Sequence, residues 1–392
     1  MKPLLSRILP ILAATALMAS CSESDAPATG ASEGERTVLV YMVAANSLGV
    51  GGNINGENIN PADEDDIAEM IRAAHALTDG RRVLVMRSTY SVPPTLYELK
   101  AEGLKPLRTY DETESVLLPE VMRGIIDDAR ELAPARHLGL VLWSHADGWL
   151  QGTEPDKGPQ RSFGVDRSRR MSLPDLREAI DGADLEYLYF DCCLMASVEV
   201  AYELRHTVPY IVASTSELPR PGMPYDITLP MLLDGAPAGI TDAAASTYGY
   251  YRDHINPVYR TCTISVVSTD GLDDLAAATR AVYDSAPLAH PLRRATNYNG
   301  ISNSGYHLDM GEYVLALADG RDAALAADFT AALDRTVVYK ASTDKIWSQY
   351  PVYHDSGLST YVFTRPDAFT VKGYDTLAWA RDVVATHIKD KQ

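Results

Sequence analysis

A histidine and a cysteine each stand where an apolar run ends. Leu138-Gly-Leu-Val-Leu-Trp143 runs straight into Ser144-His145, and Leu185-Glu-Tyr-Leu-Tyr-Phe190 runs straight into Asp191-Cys192-Cys193. Continuous apolar character of this length marks a strand buried on both faces of a parallel sheet. In open α/β sheets, ligands collect outside the carboxyl ends of such strands. An imidazole and a thiol at two strand ends can therefore meet over one crevice. Nucleophilic catalysis by a thiol needs that pair: the thiolate attacks and the imidazole manages the protons. Taken singly, each residue has a plainer reading, His145 as a satisfied structural imidazole and the cysteines as small buried hydrophobes. Their shared placement at strand ends favours the catalytic one.

Neighbours in an extended segment face opposite ways. Leu188, Phe190 and Cys192 share one side, so Cys192 points into packing; Tyr189, Asp191 and Cys193 share the other. A helix is expected to open at Leu194, with Leu194, Val198, Ala201 and Tyr202 as its buried face. Partial positive charge at its N-terminus would stabilise a Cys193 thiolate, which makes Cys193 the expected nucleophile. Asp191 has two readings. A carboxylate beside a nucleophile raises the thiol pKa and hinders attack. Its presence makes sense at the base of a substrate pocket, paired with an Arg or Lys side chain just before the scissile bond. Alternatively it caps the following helix. Chemistry alone leaves both open.

The elements that must position these residues alternate in type. Strands are expected at 38–45 and 83–86, at the two runs above and at 208–213. Helices are expected at 63–77 (Ile67, Met70, Ile71 and Ala74 on one face), 119–132 and 173–181, the last with Ser172 as N-cap and Asp175 at its third position. Residues 150–171 read as a long loop rich in Gly, Pro and charge. Beyond 235 the pattern loosens into helices at 241–254 and 271–286, a strand at 261–267 and helical segments near 307–335. A strand at 359–363 and a final helix at 375–388 complete it. The order predicts an α/β fold with a mostly parallel central sheet flanked by helices and additional C-terminal α/β elements. Residues 36–234 form the expected catalytic core and 235–392 its C-terminal part.

The chain has 392 residues, 46% hydrophobic and 22% charged, as soluble globular proteins do. Its formal charge of −18, with no basic stripe, argues against nucleic acid as a partner and would draw basic substrates. Lys2 and Arg7 precede an apolar stretch at 8–18 that is too short for a stable membrane span. Met18-Ala-Ser-Cys21 resembles a bacterial lipobox, whose Cys becomes the lipidated N-terminus. Residues 1–20 are thus read as a lipoprotein signal peptide and 21–35 as a flexible tether. Ser22-Glu-Ser-Asp25 resembles an acidic tag for export to the cell surface. The expected location is the outer membrane or surface of a bacterium, through the lipid on Cys21. Cys192, Cys193 and Cys262 are too few for a disulfide framework. No Cys-x-x-Cys or His-Glu-x-x-His spacing supports a zinc site.

His145 precedes Cys193 by 48 residues, and caspases place their His about 50 residues before the Cys. Leu142-Trp-Ser-His-Ala-Asp-Gly-Trp149 and Phe190-Asp-Cys-Cys-Leu-Met195 resemble the His and Cys motifs of the clostripain family of cysteine peptidases, which share the caspase-type αβα sandwich. Tyr41-Met42, Pro219-Arg-Pro-Gly-Met-Pro-Tyr225 and Gly357-Leu-Ser-Thr-Tyr361 match in order, so the resemblance runs from about residue 37 to the C-terminus. It implies that His145 is the catalytic imidazole, Cys193 the nucleophile and Asp191 the acid of a pocket for Arg or Lys. Protein and peptide substrates cut after those residues follow. It also implies self-cleavage after a basic residue between the two motifs, where Lys157 and Arg161 are the leading candidates. No cofactor is required, although some members depend on calcium.

One departure matters. The family usually has Gly after the His, where its N–H helps form the oxyanion hole; this chain has Ala146. If that position needs left-handed backbone, Ala costs energy and shifts the donor. Losing one such donor costs roughly 10²–10³ in rate. Intact His145 and Cys193 favour a lipid-anchored, self-processing endopeptidase. Ala146 favours the alternative, a catalytically weak surface lipoprotein that binds peptides or proteins.

Overall fold

The computed structural model describes residues 33–54, 57–78, 80–150, 162–286, 296–300, 305–319, 321–363 and 366–385. The signal segment, Cys21, Lys157 and Arg161 lie outside the described residues. Val, Leu and aromatic runs build a nine-stranded sheet. In chain order its strands are Gly34–Val43 (β1), Arg81–Ser88 (β2), Thr95–Lys100 (β3), Gly103–Thr109 (β4), Ala135–Trp143 (β5), Leu185–Asp191 (β6), Tyr210–Ala213 (β7), Thr263–Ser268 (β8) and Val337–Ser342 (β9). Across the sheet the order is β9-β8-β7-β6-β5-β1-β2-β3-β4. The five strands from β7 to β2 run parallel, and antiparallel pairs close both edges.

Helices cover both faces. Period-two alternation sends Leu39, Tyr41 and Val43 of β1 to one core, and Val38, Val40 and Met42 to the other. On the first face lie Pro119–Leu132 (α1), Leu173–Ile180 (α2) and Val198–Glu203 (α3), joined by helices from the C-terminal half. On the second lie Ala62–Arg72, Tyr225–Asp234 and Ala238–Arg252. Because β1, β5 and β6 are buried on both faces, their sequences read as unbroken apolar runs. The result is the expected mostly parallel sheet in a three-layer αβα sandwich. Among the described residues no helix is long and apolar enough to cross a membrane.

Several local expectations are corrected. The first strand begins at Gly34, inside the segment read as tether. Residues 163–171 are not loop but a hairpin, Phe163–Asp166 against Arg169–Met171. Its polar turn hid it, although Phe163 and Met171 are buried. The helix after Cys193 starts at Val198 rather than Leu194, with the Ser197 hydroxyl accepting the Val200 N–H. Leu194 itself has φ of 65°, outside any right-handed helix. Within the helix expected at 375–388, residues 378–385 are helical with a π-helical turn at Ala380–Val384, they follow 3₁₀ turns at Pro366–Thr376, and 386–388 lie outside the described residues.

Candidate active site

Register brings the two strand ends together. In the parallel β5–β6 pair, Asp191 stands opposite Trp143. His145 and Cys193 each lie two residues further, so both leave the sheet at one height. Together with Trp143, Ala146, Asp191, Glu217 and Gly222 they line a cleft of about 340 Å³.

Cys193 is half-buried, and its thiol donates a weak bond to the Leu218 carbonyl at 3.9 Å. Burial pushes this thiol up to about 12, and the negative charges of Glu217, Asp147 and Asp191 add to the effect. No helix begins at Cys193, so the expected dipole assistance is missing. The thiol therefore rests protonated. Cys192 packs in the same core as Leu188 and Phe190, where burial drives its thiol well up.

His145 places Nε2 2.8 Å from Ser47 Oγ. The loops after β1 and β5 are tied to each other: Asn46 Nδ2 donates to the Val43 and Val165 carbonyls, and Ser144 Oγ donates to the Val43 carbonyl. The hairpin supports the same loop from behind. Gly164 N–H donates to the His145 carbonyl at 2.9 Å, and Asp147 N–H to the Ser162 carbonyl at 3.3 Å. Those two bonds flank the Ala146–Phe163 pair. In such a pair the residue's own N–H and C=O point away from the partner strand.

Ala146 is not in left-handed backbone; that conformation belongs to Gly148, at φ of 67°. A Cβ on Gly148 would lie 2.6 Å from the Leu194 carbonyl oxygen and 2.8 Å from His307 Cε1. The strain suspected at Ala146 is thus absent, because the turn needing glycine falls two residues later.

Asp191 is 5% exposed. Its carboxylate accepts the Met223 N–H at 2.9 Å and the Tyr225 hydroxyl at 3.0 Å. Gly222, at φ of 63°, lets the 219–225 turn close over it; a Cβ there would sit 3.1 Å from Oδ1. Since Ser197 caps the following helix, the capping reading of Asp191 is excluded. Burial pushes Asp191 up to about 6. Among the described residues no Lys or Arg comes within ion-pair distance of it.

Two neighbours of this cleft were not singled out in the sequence. Ser47 lies in a polar turn with nothing to distinguish it. Asp66 left a readable sign: on the 62–72 helix it shares the buried side with Ala62, Ile67 and Met70. A charge on an apolar stripe marks a special position. Trp143 Nε1 donates to Asp66 Oδ2 at 2.6 Å. Among the described residues no group of three or more His, Cys, Asp or Glu side chains is arranged to hold a metal ion.

The clostripain family's sequence model matches residues 40–355. No curated protein matches the chain. An inactive zymogen C11 protease from Parabacteroides distasonis is 27% identical, with a TM-score of 0.74 over 90% of this chain and 98% of that one. A secreted C11 cysteine protease from Bacteroides thetaiotaomicron, solved with an irreversible peptide inhibitor, is 25% identical. Its TM-score is 0.75 over 92% of this chain and 100% of that one. The residues matched by the family model include both strand ends that line the cleft. The chain belongs to the clostripain family of cysteine proteases.

Proposed function

We propose that the protein is an endopeptidase that cuts after Arg or Lys, with Cys193 as nucleophile, His145 as proton carrier and Asp191 as the acid that receives the basic side chain. The observation that carries this reading is the Asp191 carboxylate. It is buried, lines the same cleft as His145 and Cys193, and among the described residues accepts hydrogen bonds from neutral donors only. A buried carboxylate in that condition is matched by a cation.

Substrate seats its basic side chain on Asp191 and its scissile carbonyl beside Cys193. His145 takes the thiol proton as the Cys193 Sγ–carbon bond forms, and the carbonyl oxygen becomes an oxyanion. The Ala146 N–H, directed away from the hairpin, is the proposed donor to that oxyanion. His145 then protonates the leaving amine, and the peptide C–N bond breaks. Water attacks the thioester carbon and gives its proton to His145; the carbon–Sγ bond breaks, the acid product leaves, and His145 returns the proton to the Cys193 sulfur. These steps draw on side chains and backbone alone. The weak binding module leaned on a strained Ala146, and no specific observation favours it.

The same reading keeps Cys21 as the lipid attachment point and Lys157 or Arg161 as self-cleavage points. A secreted relative supports export, and a relative solved as an inactive zymogen supports processing. Activated ketone probes bearing Arg, Lys or a neutral residue test the main claim. The basic probes should modify Cys193 at least about 100-fold faster than the neutral one. Equal rates, or modification mapped to Cys192, would refute it.

A further inference from the structure

We infer that Asp66, one layer behind the cleft, is a second specificity-determining residue: with Asp191 it forms a two-carboxylate floor that gives up a proton when the cation of an Arg or Lys side chain arrives. The inference rests on the proposed role of Asp191 and assigns a function to a residue on a different element.

The geometry is specific. Asp66 comes from the 62–72 helix and is 2% exposed. It accepts the indole N–H of Trp143, which lines the cleft and stands beside Asp191 in register. Asp66 thereby holds one wall of the pocket and places its own charge behind the floor. Neither acid has a Lys or Arg within ion-pair distance among the described residues. The cations of the neighbourhood are committed elsewhere: Arg72 pairs with Glu69 and Asp226, and Arg220 with Asp65.

Apart from His145 and Arg220, which line the same cleft, and Arg72, which pairs with Glu69, the titratable groups around the pair among the described residues are acidic or neutral. Glu69 and Asp65 come from the same helix as Asp66. Tyr225 approaches from the 225–234 helix, Tyr250 and Tyr251 from the 238–252 helix, and Tyr189 and the two cysteines from β6 and its end. Burial and the charge of Asp191 drive Asp66 well above the usual carboxylate range, and burial raises Asp191. Two buried carboxylates without a cation hold a proton between them more readily than free ones and titrate as a unit. A guanidinium or ammonium seated on Asp191 replaces the charge of that proton, which leaves to solvent. Both acids are then ionised against one cation, and no bond between heavy atoms changes. An uncharged side chain of the same shape offers no such exchange.

The test compares two peptides that differ only in Arg or its neutral isostere citrulline before the cut. The ratio of their kcat/KM values cancels the titrations of Cys193 and His145. In the wild type this ratio should rise about tenfold from pH 6 to pH 8, as the departing proton becomes easier to lose. Asp66→Asn keeps an oxygen for the Trp143 indole but has no proton to exchange. Its ratio should be about tenfold lower at pH 8 and flat with pH. A second measurement does not depend on that variant folding. Calorimetry of Cys193→Ala enzyme with the intact peptides, in buffers of different ionisation enthalpy, should show more proton release for Arg than for citrulline. An Asp66→Asn ratio that tracks wild type at every pH, or equal proton release, overturns the inference. If Asp191→Asn alone then removes the Arg preference, the role of Asp191 survives. A wild type with no preference for Arg over citrulline overturns both.

Discussion

Asp191 under the cleft and Asp309 in the C-terminal half are both buried carboxylates, yet they are satisfied in opposite ways. Asp309 accepts the Glu312 N–H, the Ser356 N–H and the Tyr298 hydroxyl, each at 2.7 Å, and pairs with His354 Nδ1 at 2.9 Å. Burial alone would raise it, but His354 and these donors outweigh burial and hold it below the usual range. Among the described residues Asp191 has two neutral donors and no cation, and burial wins. The first carboxylate is complete within the fold. The second would be completed by the basic side chain proposed for the pocket, and proteins accept such incompleteness at functional sites.

Substitutions on the two sides should therefore separate activity from stability. The largest effect belongs to Cys193→Ala, which should lower peptide hydrolysis by at least about 10⁴-fold while the melting temperature stays put. Cys192→Ala should keep most activity and cost about 1 kcal/mol of packing. Loss of activity in a folded Cys192→Ala enzyme would reverse the assignment. Next is Asp191→Ala, expected to reduce kcat/KM on Arg peptides by about 10²–10³ while iodoacetamide still alkylates Cys193. Asp309→Asn should do the reverse: denaturant melts should show a loss of about 2–4 kcal/mol, with side-chain preference unchanged. If Asp309→Asn alters the Arg preference, the two regions are not independent.

The pH dependence of stability sharpens the contrast, because the signs differ. Asp191 has a folded pKa of about 6, above its unfolded value. Its contribution is present in acid and is lost as pH rises from the unfolded value through 6. Asp191→Asn should thus gain on wild type across that window, by about 2–3 kcal/mol at most. Asp309 has a lowered folded pKa, so its contribution is present above the unfolded value and is lost as pH falls through the folded one. Asp309→Asn should approach wild type only in that acid range. His354 is raised by its bond to Asp309 and by that charge, so its part is present below its unfolded value and fades as pH climbs through the folded one. Urea melts of the three proteins at a series of pH values check all three signs.

Much of the cleft side was legible in the chain, and little of the Asp309 side was. The parallel strands β1, β5 and β6 are buried on both faces, so their apolar runs stand out, and the chemistry sits where those runs stop. The edge strands β4 and β9 have no buried residue and mixed composition, and β3, although mostly buried, interrupts its apolar residues with Glu98 and Lys100, so none of the three reads as a strand. Pro230 inside the 225–234 helix masked that element. The bonds that complete Asp309 come from residues 298, 312, 354 and 356, a convergence that only tertiary structure supplies. Leu194 shows the reverse failure. Its surroundings read as the start of a helix, but the chain must turn back so that the Leu194 N–H reaches the Ser216 carbonyl at 3.0 Å and the Ala196 N–H the Ser214 carbonyl at 2.9 Å. Those two bonds hold the cysteine loop against the end of β7, at the expense of four residues of helix.

The smallest expected effect tests whether cleft geometry resides in the backbone or in the side chain after His145. Ala146 lies outside the left-handed region, and its pairing with Phe163 already fixes the direction of its N–H. A glycine there relieves no strain and adds unfolded-state freedom, so Ala146→Gly should cost up to about 1 kcal/mol of stability. The donor would stay where the hairpin holds it, through Gly164 N–H on the His145 carbonyl and Asp147 N–H on the Ser162 carbonyl. The change in kcat should accordingly be less than about threefold, far short of what loss of an oxyanion donor produces. The methyl group itself is buried in the core that contains Phe163 and Trp149, so what it supplies is packing. Steady-state rates of wild type and Ala146→Gly on one Arg peptide decide the matter. A rise in kcat of about 10²-fold would mean that Ala146 restrains the oxyanion site and that this enzyme is throttled by its own sequence.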